Sequence, residues 1–463
     1  MWLMIGFVKS AFNLVFENKR EFIYGDNHFI RDSTWSFLDY IEHITFKKRT
    51  TLRHGLQSMH KLLHEFGFKK ISSSALCQQR KFINPEAFKV ISREFLKKIG
   101  IKDKKSILKT FKNMRVFAGD GSDLEILNLI STRFDFNVKE NKPHYTYPAI
   151  AKFSAIVDVM NGYILDGILG DFKEGDLPLA HKNLKNLGDD VIDFPNSIFT
   201  FDRGYVGLEL NARLTELGAN FVIRLRNDVY KEEIANMTSN DEFVKLKLTD
   251  SRLEKFHDIE LKEKYSKKDY IELRVVKTKV KVIKYDEKTN EEYEEEIDEI
   301  LLTNFTKEEM SVKDLKEIYK LRWGIEVDFD TLKNRFGIEN FSGSIKLTHQ
   351  QDLYSQFVIF NVYCYINNLL NMKLQRRFVK KYGEEYLDYD FEYKINQANL
   401  IRNLLEDFRK IMLLPLRKKR SFFLSELFKE SIKDPIKKYK NRRNKHDGKK
   451  NNQKNRNNCK PMN

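Results

Sequence analysis

Cysteine, proline and tryptophan are all scarce in this chain. Its 463 residues include three cysteines, eight prolines and three tryptophans. Cys77, Cys364 and Cys459 are far apart, odd in number and form no Cys-x-x-Cys pair. A disulfide framework or a cysteine zinc site is therefore not expected, and a reducing compartment is. No stretch of about 20 apolar residues is present to span a bilayer. The apolar opening Met1 to Val8 has no basic residue before it and is soon interrupted by Lys9 and Asn13, so it reads as a buried helix, not a secretory leader. Neither GxxxxGK[ST] nor GxGxxG occurs, which argues against a nucleotide cofactor. No serine or cysteine sits with a histidine in a recognisable nucleophile motif. The expected setting is the cytoplasm, with no membrane partner.

What is present is charge and core. Hydrophobic residues make up 41% of the chain and aromatics 13%, enough to bury real cores, and the length predicts two or three domains. The net charge of +16 is unevenly spread. Met1 to Arg115 holds 23 basic and 10 acidic residues, Arg417 to Asn463 holds 17 and 4, and the middle is acidic. Basic ends around an acidic centre suggest polyanion-binding arms flanking a core that keeps carboxylates for another purpose. From Lys437 onward the chain is rich in Lys, Arg and Asn with almost nothing apolar. That tail is expected to be disordered and to hold phosphates without reading sequence.

The periodicity changes along the chain. Trp35 to Ile44 and Leu56 to Phe66 place apolar residues at three and four spacings, predicting an N-terminal helical module over 1–110. His60 and His64 are four apart on that pattern but lack a third ligand, so they read as ordinary helix. Strands begin at Arg115, where Arg115 to Asp120 reads as a short strand running into a Gly-Ser turn. Phe153 to Met160, Asn161-Gly162 and Tyr163 to Leu169 read as a hairpin with a type I′ turn. A helix over Asp176 to Leu187, a strand over Ser197 to Phe201, a turn, a helix over Val206 to Leu217 and a strand from Phe221 follow. Antiparallel strands and then strand-helix-strand make a mixed α/β sheet flanked by helices. In such sheets active groups collect at strand carboxyl ends, where this reading puts Asp120 and Asp202. Residues 227–304 break the alternation with a β-ribbon, Tyr270 to Lys284 against Glu291 to Leu302, cationic on one strand and acidic on the other.

Ser311 to Phe336 predicts one long helix capped by Ser311 and stopped at Gly337. At about 100° per residue, Tyr319, Arg322, Glu326 and Lys333 share one narrow polar stripe. An i,i+4 ion pair on a solvated helix would explain part of this. The two strand-end aspartates upstream add weight to a functional reading.

Together these residues resemble the DDE transposases of bacterial insertion sequences, in particular the insertion sequence 4 family with its Y-x2-R-x3-E-x6-K signature. Tyr319, Arg322, Glu326 and Lys333 fit that spacing without a gap. Gly119-Asp120-Gly-Ser and Phe201-Asp202-Arg-Gly-Tyr205 look like the segments of the family's two aspartates. The resemblance covers roughly residues 115–345. It implies a ribonuclease H-like core at 111–226 and 305–345, interrupted by a β-rich insertion at 227–304. Around the core lie the N-terminal DNA-binding helices, C-terminal helices at 346–436 and the tail at 437–463. One feature departs: some members stack a flipped base on a tryptophan in the insertion. This chain has tryptophan only at positions 2, 35 and 323, leaving Tyr230, Phe243, Phe256 or Tyr265 as substitutes.

The resemblance implies cut-and-paste transposition at terminal inverted repeats, with Asp120, Asp202 and Glu326 as catalytic metal ligands. Two Mg²⁺ ions about 4 Å apart, with Mn²⁺ able to substitute, suit oxygen ligands and phosphodiester chemistry. Asp120 would be the shared ligand, while the allocation of Asp202 and Glu326 between the ions is interchangeable. Tyr319, Arg322 and Lys333 would contact DNA phosphates, and Arg203 is either a further phosphate contact or a turn-stabilising ion pair. Asp123, Asp158, Asp166 and Asp330 are nearby acids for which turn, edge or solvated roles are expected. Partners would be double-stranded transposon-end and target DNA and a second copy of the chain in the synaptic complex. The location would be the bacterial cytoplasm, at the nucleoid. A metal-dependent endonuclease of the same fold, and a DNA-binding protein whose acids have become structural, are the competing readings.

Overall fold

The computed structural model describes residues 2–31, 33–47, 51–102, 108–138, 148–286 and 291–439. The ribbon turn expected near Asp286 to Asn290 falls, from 287 on, outside them, as does the tail beyond Tyr439. The N-terminal region forms five helices: α1 (Trp2–Glu17), α2 (Phe37–Phe46), α3 (Leu52–Leu63), α4 (Ser73–Arg80) and α5 (Glu86–Lys98). The sheet region then runs β1 (Arg115–Ile126), α6 (Ile130–Asp135), β2 (Ala149–Asp158), β3 (Tyr163–Gly170), α7 (Asp176–Asn186), β4 (Ser197–Phe201), α8 (Leu208–Glu216) and β5 (Asn220–Leu225). Next come α9 (Lys231–Ala235), β6 (Asp241–Lys247), α10 (Asp250–Leu253), α11 (Ile259–Tyr265), β7 (Tyr270–Asp286) and β8 (Glu291–Thr303). After them lie α12 (Val312–Leu321), α13 (Trp323–Asp330), α14 (Lys346–Tyr382), β9 (Phe391–Lys394), α15 (Gln397–Leu413), α16 (Arg417–Lys433) and β10 (Ile436–Tyr439).

Eight strands join in one sheet in the order β3-β2-β1-β4-β5-β8-β7-β6. The first three are mutually antiparallel, β1, β4 and β5 are parallel, and β5 to β8 is antiparallel again. The 3-2-1-4-5 half, with helices on both faces, is the ribonuclease H-like arrangement expected from the sequence. Alternation along the strands divides the core. Val116, Ile198, Val222 and Leu301 face Leu315 and Ile318 of α12, while Phe117, Phe199, Phe221 and Leu302 belong to the larger core on the other side.

Three sequence expectations change locally. First, β1 does not stop at Asp120; it pairs with β2 from Phe117↔Asp158 to Ile126↔Ala149. Gly121 marks close approach instead of a turn: a Cβ there would meet Asp176 Oδ1 at 2.4 Å, as one on Gly119 would meet the Phe201 ring at 2.1 Å. Second, the β2–β3 connection is a four-residue turn, not type I′. Gly162 has φ 79° but Asn161 does not adopt a positive φ, and type I′ needs both. The buried Asp158 carboxylate organises that turn, accepting from the Met160 and Asn161 amides at 3.1 Å each and from the Asn161 side chain at 2.9 Å.

Third, the long helix begins at Ser311, with a Ser311/Asp314 capping box, and ends at Gly337, but it is broken at Arg322 and finishes in a π-helical segment, Thr331–Phe336. The Arg322 amide donates to the Tyr319 carbonyl three residues back at 3.1 Å.

The insertion is hydrogen-bonded into the sheet through β8, with Val222↔Thr303 to Leu225↔Ile300 in register. Cationic and acidic positions face each other on the ribbon, as at Lys279↔Asp298. Arg274, fully buried, ties β7 to its surroundings: it donates to both Asp241 oxygens at 2.7 and 2.9 Å and to the Thr306 and Met310 carbonyls at 2.8 and 2.6 Å.

Helix α14 is buried along much of its length, with Leu353, Phe357, Phe360 and Leu370 in the large core. That all-round burial explains why its apolar residues form no single stripe. Asn361 on α14 accepts from the Ile164 amide at 2.8 Å and donates to its carbonyl at 2.9 Å, satisfying the edge of β3. Arg80 of α4 and Lys47 converge on buried Asp352 of α14 at 2.9 and 2.5 Å. Through these contacts the N-terminal helices share one core with the sheet. Lys437 to Tyr439, the first residues of the predicted tail, pair with β9. No helix among the described residues is long and apolar enough to cross a membrane.

Candidate active site

β1 pairs with β4 only over Arg115–Ala118 and then runs past it. Asp120 therefore sits within β1 at the level where β4 ends, and Asp202 is the first residue after Phe201 of β4. Both border the crevice beyond the carboxyl ends of the parallel strands, the place where ligands bind in such sheets. Asp202 caps a short 3₁₀ turn, Arg203–Tyr205, by accepting from the Gly204 amide at 2.7 Å. Helix α13 packs against β1 and brings Glu326 to the crevice. Gly324 lets that helix approach: a Cβ there would lie 3.1 Å from the Val159 carbonyl oxygen.

The Arg322 guanidinium joins two of the three acids. It donates to Asp120 Oδ2 at 3.2 Å and to Glu326 Oε1 at 2.7 Å. Burial pushes the Asp120 carboxyl up to about 6; the Gly121 amide and Arg322 hold it down, while Asp202 and Glu326 push it higher. Asp202 and Glu326 thus both lie within electrostatic reach of Asp120. Among the described residues, no three His, Cys, Asp or Glu side chains gather closely enough to hold a metal ion. The donor set nevertheless fits a hard divalent cation: it is all oxygen, anionic, and already served by one positive group standing between two of its members.

The four signature residues of the broken helix have different contacts. Tyr319 is half-buried near Arg224 of β5; burial raises its hydroxyl pKa and the two nearby arginines, Arg322 and Arg224, lower it. Lys333, in the π segment, donates to the Asp123 carbonyl on β1 at 2.6 Å. Arg203 is exposed. The polar stripe read at constant pitch thus divides into contacts with β5, the acid cluster and β1.

The neighbouring acids have structural partners. Asp123 pairs with Lys152 at 2.6 Å, buried Asp166 with Lys89 at 3.1 Å, and Asp330 accepts from Asn334 at 2.5 Å. Of the four insertion aromatics that could replace a tryptophan, Tyr230, Phe256 and Tyr265 are core and Phe243 is exposed. Sequence reasoning gives no role to Tyr205, Asp176 or Arg224, all beside the crevice. The position of Arg224 at the end of strand β5 is the one local signal that could have found it.

The mixed sheet thus brings Asp120 and Asp202 to the edge of one crevice, with Glu326 joined to Asp120 through Arg322. Residues 115–362 match the family described as Transposase DDE domain, and the chain belongs to that family. No curated protein matches the chain. Among solved structures it is similar to the piggyBac transposase synaptic complex with hairpin DNA, determined by cryo-EM. That match has 12% identity and a TM-score of 0.38, covering 92% of this chain and 82% of the other.

Proposed function

We propose that this protein is a transposase of the insertion sequence 4 type, which cleaves DNA at terminal inverted repeats and joins the freed ends to target DNA, working at the nucleoid of a bacterial cytoplasm. The observation that carries this reading is the convergence of Asp120 and Glu326 on Arg322 beside Asp202. In this reading Asp120, Asp202 and Glu326 would hold Mg²⁺, or Mn²⁺ in its place. When bound, such ions supply an activated oxygen nucleophile and neutralise charge on the leaving oxygen.

The chain's own residues orient the DNA. Arg322 turns its planar fork from the carboxylates to non-bridging phosphate oxygens, which it can grip in the same two-pronged way. Lys333 anchors phosphates along β1, and Arg203 at the crevice rim adds a third cation. Tyr319, beside Arg224, contributes a hydroxyl. The basic N-terminal segment and tail bind the duplex backbone, and two copies of the chain hold two ends together.

The test incubates purified protein with DNA carrying the gene's own flanking ends and a target plasmid, with and without Mg²⁺. Cleaved ends joined to the plasmid only when Mg²⁺ is present are expected. Cleavage without joining would indicate an endonuclease, and binding without cleavage under any divalent ion would indicate a DNA-binding protein with retired acids.

A further inference from the structure

Tyr205 lies three residues after Asp202, on the 3₁₀ turn that follows β4. Its ring is 2% exposed and packs on Phe201 with centroids 5.3 Å apart. Its hydroxyl is buried and has no hydrogen-bond partner among the described residues. A buried polar group left unmade costs stability, and phenylalanine would fill the same space without that cost. The hydroxyl therefore calls for another use.

Its surroundings indicate one. A Cβ built on Gly121 would lie 3.3 Å from the Tyr205 hydroxyl oxygen and 2.4 Å from Asp176 Oδ1. Glycine thus leaves open a small cradle, lined by the phenol and a carboxylate, on the backbone next to Asp120. Burial, with the charges of Asp120, Asp176 and Asp202, raises the phenol pKa, and a phenol O–H is a donor at neutral pH in any case. Three carboxylates are possible acceptors: Asp176, which shares the cradle, Asp202, whose Oδ1 is engaged by the Gly204 amide, and Asp120, whose Oδ1 takes the Gly121 amide and whose Oδ2 takes Arg322. The Arg322 contact is the one that must be given up when that arginine turns to DNA.

We propose that Tyr205 is a positioning residue: its hydroxyl donates to the Asp120 carboxylate as Arg322 leaves, fixing the orientation in which Asp120 receives a divalent cation. This rests on the reading of Asp120 as a metal ligand. Hydrogen bonds to a ligating carboxylate commonly set metal affinity by about ten- to a hundredfold.

Tyr205→Phe in the full-length chain tests this through two readouts that a packing role would not move in opposite directions. The metal-free melting temperature should stay level or rise, because an unsatisfied hydroxyl is removed. Mn²⁺ affinity, measured by calorimetry without DNA, should weaken by about tenfold or more, and cleavage lost at low Mn²⁺ should return at saturating Mn²⁺. A lower melting temperature, or Mn²⁺ affinity within about twofold of wild type, overturns the proposal. Asp120→Asn is measured alongside. If that variant binds Mn²⁺ like wild type, the proposal falls with the reading it rests on. If it loses Mn²⁺ while Tyr205→Phe keeps it, the Tyr205 proposal falls alone.

Discussion

Removing Arg322 should loosen the metal-free site and tighten its hold on cations. The guanidinium makes two charge-assisted bonds, 3.2 Å to Asp120 and 2.7 Å to Glu326, with side-chain exposures of 12, 19 and 36%. Each gross attraction is on the order of 4 kcal/mol at an effective dielectric of 20. Desolvation and the partial exposure of Glu326 reduce the net worth of the pair of bonds to about 2 kcal/mol. A cation entering between the acids must displace that contact. Arg322→Ala abolishes the cost and a like-charge repulsion, so Mn²⁺ should bind about tenfold or more tightly without DNA, since 1.4 kcal/mol is a factor of ten. On the proposed role of Arg322 in gripping phosphate, the same variant should cleave transposon ends far more slowly. Isothermal titration with Mn²⁺ at physiological salt is the assay. Equal or weaker binding by the alanine variant would refute the view that the guanidinium and a cation compete for these carboxylates.

Two further predictions concern the frame around the site. Arg80 and Lys47 hold the carboxyl of buried Asp352 well below its ordinary range. A depressed folded-state pKa stabilises above the unfolded value and is lost as pH falls through it. Stability should therefore decline below about pH 4, and Asp352→Asn should remove that decline while costing about 3 kcal/mol or more at neutral pH; denaturant titrations across pH check both. Gly119→Ala should destabilise by about 1–3 kcal/mol, because its Cβ would lie 2.1 Å from the Phe201 ring; urea unfolding of the variant against wild type measures it, and an unchanged midpoint would show that the ring yields freely.

Much of the sheet was legible because its signals are local. Apolar runs marked β2, β3, β4 and β5, cationic-apolar alternation marked the ribbon, and Ser311 and Gly337 marked the ends of the helix that carries Glu326. The errors arose where distant side chains decide backbone shape. Gly121 read as a turn residue, yet it lies within β1, at a point where Asp176 and Tyr205 approach from other elements. Asn161-Gly162 reads as a type I′ turn until the Asp158 carboxylate, capping the loop from within, is taken into account. The four-residue polar stripe assumes constant helical pitch, which the break at Arg322 and the π segment interrupt. Arg322 and Glu326 still meet, because a four-residue spacing survives that break. The unpartnered Tyr205 hydroxyl left no trace in the sequence, since its meaning depends on which acids the fold brings near it.

The central claim is that Asp120, Asp202 and Glu326 perform phosphodiester chemistry, and Glu326→Gln tests it most directly. The amide keeps the size of the side chain and removes the charge a divalent ion needs. Measured in Mg²⁺ on the gene's own flanking DNA ends, the variant should bind DNA as wild type does while cleavage falls by about a thousandfold or more, on the scale lost when a catalytic group is removed. Cleavage by the variant at the wild-type rate would contradict the account.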